Sequence, residues 1–250
     1  MTKILKEKMN QIIVLLIVII AFGVTLAVML KYKTEGETNL PIVLDKIMIV
    51  SSAEAESKED NPDNQKWNLQ INQYNDVYMN IDINEEYKKT EYIKSVSIEN
   101  INIEQPQKGK YEIYMPNSSE GKQFVYNDMY LVQNSLTYNG STQDNARTLE
   151  IANQGGVFLF RVVNRNIAEY VSNEDDVIKY DGTLLGKTGI NEEELKARIN
   201  FDIVLRTNET AYRGNVTITI PNENLSKEGV VQTTDNDFSD VVFKRERIKT

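Results

Sequence analysis

The 250-residue sequence predicts an all-β fold, an antiparallel β-sandwich, preceded by one N-terminal transmembrane helix. Three observations predict it. Residues 12–30 form an apolar run with no charge in it. Beyond residue 40, apolar and polar residues alternate in short segments, which is the period of a half-buried strand. Only residues 191–198 read as a soluble helix. Many short strands, regular turn signals and few helices describe a sandwich.

The apolar run would span about 28 Å as a helix, close to the roughly 30 Å of a bilayer's hydrocarbon core. Lipid satisfies no open backbone, so the run must be helical. Thr25 is tolerated inside it because its hydroxyl reaches the Ala21 carbonyl one turn back. A cleaved signal peptide is the rival reading, with an apolar stretch of about 7–15 residues and a small-x-small site after it. Here the stretch is longer, and the matching triplet, Thr25-Leu26-Ala27, lies inside it. The expectation is therefore an uncleaved anchor in contact with the lipid bilayer through residues 12–30. Lys3, Lys6 and Lys8 precede the run, whereas Lys31 and Lys33 follow it with Glu35 and Glu37. That bias places the N-terminus in the cytoplasm and the rest outside, as a single-pass protein of the cell membrane. The expected division is a tail over 1–11, the span over 12–30, a polar stalk over 31–39 and an extracytoplasmic domain over 40–250. Gly23 and Ala27 share one helix face, a spacing that pairs helices but also arises by chance in apolar runs.

The strands follow from the alternation. Residues 40–50 open the domain, with Pro41 at the entry where a missing N–H is harmless. Residues 51–66 are polar and read as a long loop. Trp67, Leu69 and Ile71 alternate, and Val77, Met79, Ile81 and Ile83 do so again beyond an Asn75-Asp76 turn. Val96 and Ile98 give way to Ile101 and Ile103, a parity change that predicts a bulge or tight turn at Glu99-Asn100. Tyr111 and Ile113 lead into Pro116, and Ile199, Phe201, Ile203 and Leu205 precede Val216, Ile218 and Ile220. Asn139-Gly140 and Asp181-Gly182 are hairpin-turn dipeptides. Gly155-Gly156 introduces an apolar run from Val157 to Val163, as in a central strand covered on both faces. Arg161 interrupts that run and needs a carboxylate or carbonyl partner. Asn191 caps the one soluble helix, with Glu194 completing a capping box. Val241, Val242 and Phe243 read as the last strand. No Pro/Gly/Ser linker divides the region, so one sandwich is expected over two modules.

Composition excludes several chemistries. The chain has no His and no Cys, which removes imidazole bases, thiol nucleophiles and the commonest zinc ligands. A domain of this size needs no disulfides. Net charge is −9, and the +2 of residues 1–11 leaves −11 for the remainder, which repels phosphate backbones and argues against nucleic acid. Lys244, Arg245, Arg247 and Lys249 form a basic end, read as a solvated tail.

Several motifs match only in part. Lys187-Thr188-Gly189 and Ser119-Glu120-Gly121-Lys122 match two elements of penicillin-binding proteins, but they are too close together and lack the middle element. Residues 182–188 are one residue short of a P-loop. Asp235, Asp237, Ser239 and Glu246 have calcium-loop spacing, but Asp240 stands where glycine is required. A looser calcium site on Asp235, Asp237 and Asp240 stays open, as does the acidic cluster Asn173, Glu174, Asp175 and Asp176. The sequence thus nominates no catalytic, cofactor-binding or metal-binding residue, and no cofactor.

Four segments are similar to a family of uncharacterised single-pass membrane proteins of low-GC Gram-positive bacteria. They are residues 46–54 (Lys-Ile-Met-Ile-Val-Ser-Ser-Ala-Glu), 153–156 (Asn-Gln-Gly-Gly), 180–185 (Tyr-Asp-Gly-Thr-Leu-Leu) and 239–245 (Ser-Asp-Val-Val-Phe-Lys-Arg). The resemblance implies a cell-surface location and supplies no activity or ligand. The resulting expectation is a structural or protein-interaction module of the cell envelope, with an envelope protein as partner and no enzymatic activity. A glycan- or calcium-binding module and a carboxylate-based glycosidase are the alternatives.

Overall fold

The computed structural model describes residues 2–58, 67–89, 91–104, 106–117, 124–141, 149–172 and 183–246. It is an all-β sandwich preceded by one helix. Helix α1 (Thr2–Glu35) is longer at both ends than the apolar run alone predicts. Its part from Gln11 to Glu35 is long and apolar enough to cross a membrane, and the large apolar side chains from Ile12 to Leu30 are exposed. Thr25 Oγ1 donates to the Ala21 carbonyl at 2.8 Å, as expected from the sequence.

The strands are β1 (Ile42–Ser57), β2 (Asn68–Ile83), β3 (Ile93–Glu104), β4 (Lys110–Tyr114), β5 (Ser135–Gly140), β6 (Glu150–Ile151), β7 (Gly156–Val171), β8 (Arg198–Thr207), β9 (Ala211–Thr219), β10 (Val230–Asp235) and β11 (Lys244–Glu246). Among the described residues they form two sheets, in the orders β10-β1-β2-β7-β4 and β11-β9-β8-β3-β5-β6. All pairs are antiparallel except the short β5–β6 contact. The inner faces interdigitate. Ile49, Val77, Met79, Phe158 and Phe160 of the first sheet share one core with Val96, Ile98, Phe201, Ile203 and Val216 of the second. The rings of Phe160 and Phe201 meet edge-on across the sheets, with centroids 5.9 Å apart. The Tyr138 hydroxyl of the second sheet donates at 2.6 Å to the Leu159 carbonyl of the first.

Several expectations are corrected. Residues 51–57 are strand, not loop, because β1 continues through them against β2. Asn75-Asp76 is not a turn, because β2 is continuous and both residues pair with β1 and β7. Asn139-Gly140 ends strand β5, and a Cβ on Gly140 would lie 2.2 Å from the Ile93 carbonyl oxygen. The segment opened by Asn191 is one turn of 3₁₀ helix, Glu192–Leu195. The Asn191 side chain does accept from the Glu193 N–H, but Glu194 reaches Lys108 at 3.9 Å and closes no capping box. Two further single-turn helices, α2 (Leu184–Lys187) and α3 (Leu225–Glu228), gave no periodic signal because four residues cannot display one. The last strand is β11, one residue beyond Phe243, and β10 precedes it. The bulge at Glu99-Asn100 is as expected: the β3–β8 register shifts there, and Asn100 has φ +54°.

The first sheet is taller than the second. Its far end carries a second apolar cluster of Ala53, Leu69, Ile71 and Ile167, covered by Leu184, Leu185, Leu195 and Leu225 of the short helices. Polar side chains lie on the same inner face between the two apolar clusters. Ser51 Oγ donates to Asn75 Oδ1 at 2.6 Å, and Asn75 Nδ2 donates to the Val162 carbonyl at 2.9 Å. Gln73, the neighbour of Asn164 on β7, is 0% exposed, and neither end of its amide has a partner. A buried amide without partners costs about 1–3 kcal/mol. Gln73→Met removes that cost at nearly constant volume, and the melting temperature rises by roughly 2–4 °C per kcal/mol regained. A lower melting temperature would show that the amide is satisfied in the folded protein.

Candidate functional site

Helix α1 is attached to the sandwich by contacts, not only by the chain. Its last turn is closed by the Gly36 N–H donating to the Tyr32 carbonyl, and the Glu37 N–H then donates to the Phe243 carbonyl at 2.7 Å. The Arg245 N–H donates to the Tyr32 hydroxyl at 2.8 Å. The Arg245 guanidinium pairs with Glu37 at 3.1 Å and lies over the Tyr212 ring. Gly36 has φ +69°, and a Cβ there would lie 2.4 Å from the Phe243 carbonyl oxygen. The expected stalk over 31–39 is therefore helix to Glu35 and a docked turn after it. The expected solvated basic tail is, for Lys244 and Arg245, strand β11. Arg247 and Lys249 lie outside the described residues.

Beside this junction the sandwich opens laterally. The segment from Asn236 to Phe243 crosses from β10 of the first sheet to β11 at the edge of the second. Between β1–β10 and β9 it leaves a cleft of about 440 Å³. Ile47, Ile49, Val216 and Ile218 form the apolar floor. Asp235, Asp237 and Asp240 stand at the opening with Thr217, Thr219 and Thr233, and among the described residues no Lys or Arg lines the cleft. Both flanking strands are open. Among the described residues β11 pairs only with Ala211–Arg213 of β9, and no strand pairs with the outer edge of β10.

The acids at the opening do not converge on a metal position, and no group of three acidic side chains suited to a metal occurs among the described residues. Asp235 Oδ1 accepts from the Asp237 N–H at 3.0 Å, and Asp237 Oδ1 accepts from the Ser239 N–H at 3.1 Å, so both carboxylates brace turns. Glu246, the last position of the calcium spacing, pairs instead with Arg213. Lys187-Thr188-Gly189 closes the one-turn helix α2, and Ser119, Lys122 and the cluster at Asn173, Glu174, Asp175 and Asp176 lie outside the described residues.

Arg161 has the carboxylate partner its sequence position demands. On the outer face of the first sheet its Nε and Nη2 donate to the two Asp76 oxygens at 2.5 and 2.7 Å, and Nη1 donates to the Tyr126 hydroxyl at 2.5 Å. The Phe124 ring stacks 4.4 Å from the guanidinium carbon. Arg165 repeats the arrangement with Glu112 and Tyr114. The expectation that the run Val157–Val163 is covered on both faces holds from Phe158 to Val163 and fails at Val157, which is half-exposed.

The outer face of the second sheet carries an ion network. Arg213 reaches Glu99 at 2.7 Å, Asp202 at 3.1 Å and Glu246 at 3.3 Å, and Arg206 reaches Glu99 at 3.2 Å. Burial opposes the charged form of Glu99, but hydrogen bonds from Arg213 and Arg206 outweigh it and hold the carboxyl below its usual range. Asp202 is lowered in the same way, burial being outweighed by hydrogen bonds from Asn215, Asn100 and Arg213. A carboxylate lowered on folding contributes stability above its unfolded pKa, about 4, and loses it as pH falls through the folded value. The melting temperature is therefore expected to hold from pH 7 to about 5 and to drop below about 4. Arg213→Met makes that acid limb shallower, and an unchanged limb would remove the network as its cause.

Fold and site together define a β-sandwich module with an apolar helix fixed to one end and an acid-rimmed opening beside the joint. Comparison of the chain with protein-family models, with curated proteins and with solved structures finds no match in any of the three.

Proposed function

We propose that this chain is a membrane-anchored module that holds a protein-binding domain at the outer face of the cell membrane. The observation that carries the reading is the junction. Tyr32, Gly36 and Glu37 are bonded to Phe243 and Arg245, so the domain has a fixed pose on its helix and not a free tether. Only about five residues separate Leu30, the last apolar residue of the run, from that contact. At 1.5 Å per residue they place the domain within roughly 10 Å of the lipid. A rigid domain so close to the bilayer suits partners in or beside the membrane. The lysine bias sets the N-terminus inside, and the resemblance to single-pass membrane proteins of low-GC Gram-positive bacteria belongs to the same proposal.

The enzyme reading has less support. The chain has no imidazole or thiol, and two of the three acids at the opening, Asp235 and Asp237, are used to brace turns. Protease added to intact spheroplasts is expected to digest the domain and spare residues 1–11, and a fully protected domain would reverse the orientation. Photo-crosslinkers placed in turn at Gln232, Met129 and Trp67, all on the domain surface, are expected to capture an envelope protein in cells. No protein adduct from any of them, together with cleavage or retention of envelope glycan by the purified chain, would replace interaction with a glycan reading.

A further inference from the structure

We propose that the open edge of β10 and the cleft beside it receive an extended, basic segment of a partner protein as an added strand. The inference rests on the interaction reading above and names its surface and the chemistry of its partner. A free sheet edge is a template for another strand, and sheets that avoid this use lysine, proline, bulges or a covering loop. β10 reads Val-Val-Gln-Thr-Thr-Asp: it has no proline and no cation, pairs with β1 without a register shift, and ends on an acid. Val230 is 51% exposed at its start. Val230, Val231, Thr233 and Thr234 are residue types that favour strand.

The side chains set the chemistry of the occupant. Thr233 and Asp235 of β10 line the cleft, so the cleft-facing row of an added strand would lie over Val216 and Ile218, with its tips near Asp237 and Asp240. Lysine or arginine fits that row, because the aliphatic stem covers the apolar floor while the charged head meets the carboxylates. Among the described residues no cation competes: none of the three acids takes part in an ion pair, and no Lys or Arg lines the cleft. The outward row beside Val230, Gln232 and Thr234 suits β-branched residues. Backbone hydrogen bonds supply affinity in such an addition and the alternate side chains supply choice.

The test uses the full chain in lipid nanodiscs and a fluorescent six-residue peptide alternating lysine with valine. Saturable binding is expected, with slowed hydrogen exchange at alternate β10 amides. Replacing lysine by glutamate in the peptide, or N-methylating the peptide amides that face the edge, is expected to weaken binding at least about tenfold, or about 1.4 kcal/mol. Asp237→Asn with Asp240→Asn is expected to weaken the lysine peptide similarly without moving the melting temperature. Equal binding of the glutamate or N-methylated peptide, protection away from β10, or no binding at millimolar peptide would overturn the inference. If the peptide fails while a crosslinker at Met129 or Trp67 still captures a partner, the interaction role stands and this surface is wrong. If both fail, the role falls with it.

Discussion

Arg161→Met is expected to lower stability by about 3 kcal/mol, within the range for breaking a buried ion pair and below its upper end. The side chains of Arg161 and Asp76 are 22% and 18% exposed, so solvent screens part of the loss. The substitution leaves Asp76 without its bidentate donor, strips the Tyr126 hydroxyl of its partner and removes the cation from the Phe124 ring. For a domain of this size the melting temperature would fall by roughly 6–12 °C. A second substitution separates the unpaired charge from lost packing. Arg161→Met with Asp76→Leu leaves no orphan carboxylate and is expected to recover more than half of the loss. A peptide on β10 would still bind either variant, since this cluster lies on the outer face of the first sheet, away from the cleft. Lost binding at an unchanged melting temperature would assign Arg161 to a ligand instead.

The second large effect is expected at the joint. Gly36→Val places a branched side chain at φ +69°, which costs an L-residue about 1–2 kcal/mol, and drives its Cβ against the Phe243 carbonyl. The Glu37–Phe243 and Tyr32–Arg245 hydrogen bonds should break together, because both depend on the chain turning at Gly36. The chain has no native cysteine, so single cysteines at Met29 and Thr234 can carry spin labels without background. In nanodiscs the distance between the labels is expected to be narrow in the native chain and several-fold broader in Gly36→Val, with the sandwich's own melting transition little changed. A broad distribution in the native chain would refute the rigid joint, and with it the observation on which the proposed function rests.

The lateral cleft shows why the site was less legible than the core. Ile199, Phe201, Ile203 and Leu205 announce a strand because alternate burial requires alternate apolar residues, and all four are fully buried. β10 gives no such signal, since a strand at an open edge is exposed on nearly every residue. The acids Asp235, Asp237 and Asp240 were visible as a cluster, but spacing alone suggested calcium. Their backbone partners and the neighbouring open edge emerge only once the chain is folded. Asn75 was read as a turn residue for its type, whereas the fold uses its amide to join Ser51 to the Val162 carbonyl. A signal for β10 was available in Val230, Val231, Thr233 and Thr234, whose types favour strand even without alternation.

The sequence by itself determined the apolar helix, the all-β class, the bulge at Glu99-Asn100 and the need of Arg161 for a partner. Each is a local consequence of residue type and period: an uncharged run, alternation of two, a parity change, a cation in an apolar strand. Only the tertiary structure decided that Asp76 is that partner, that β1 and β2 run unbroken for 16 residues, and that the helix is bonded to β11 some 200 positions away. These depend on which segments become neighbours. That choice is made by the fit of the two inner faces and by hydrogen bonds between distant strands, and no local pattern of residues encodes it.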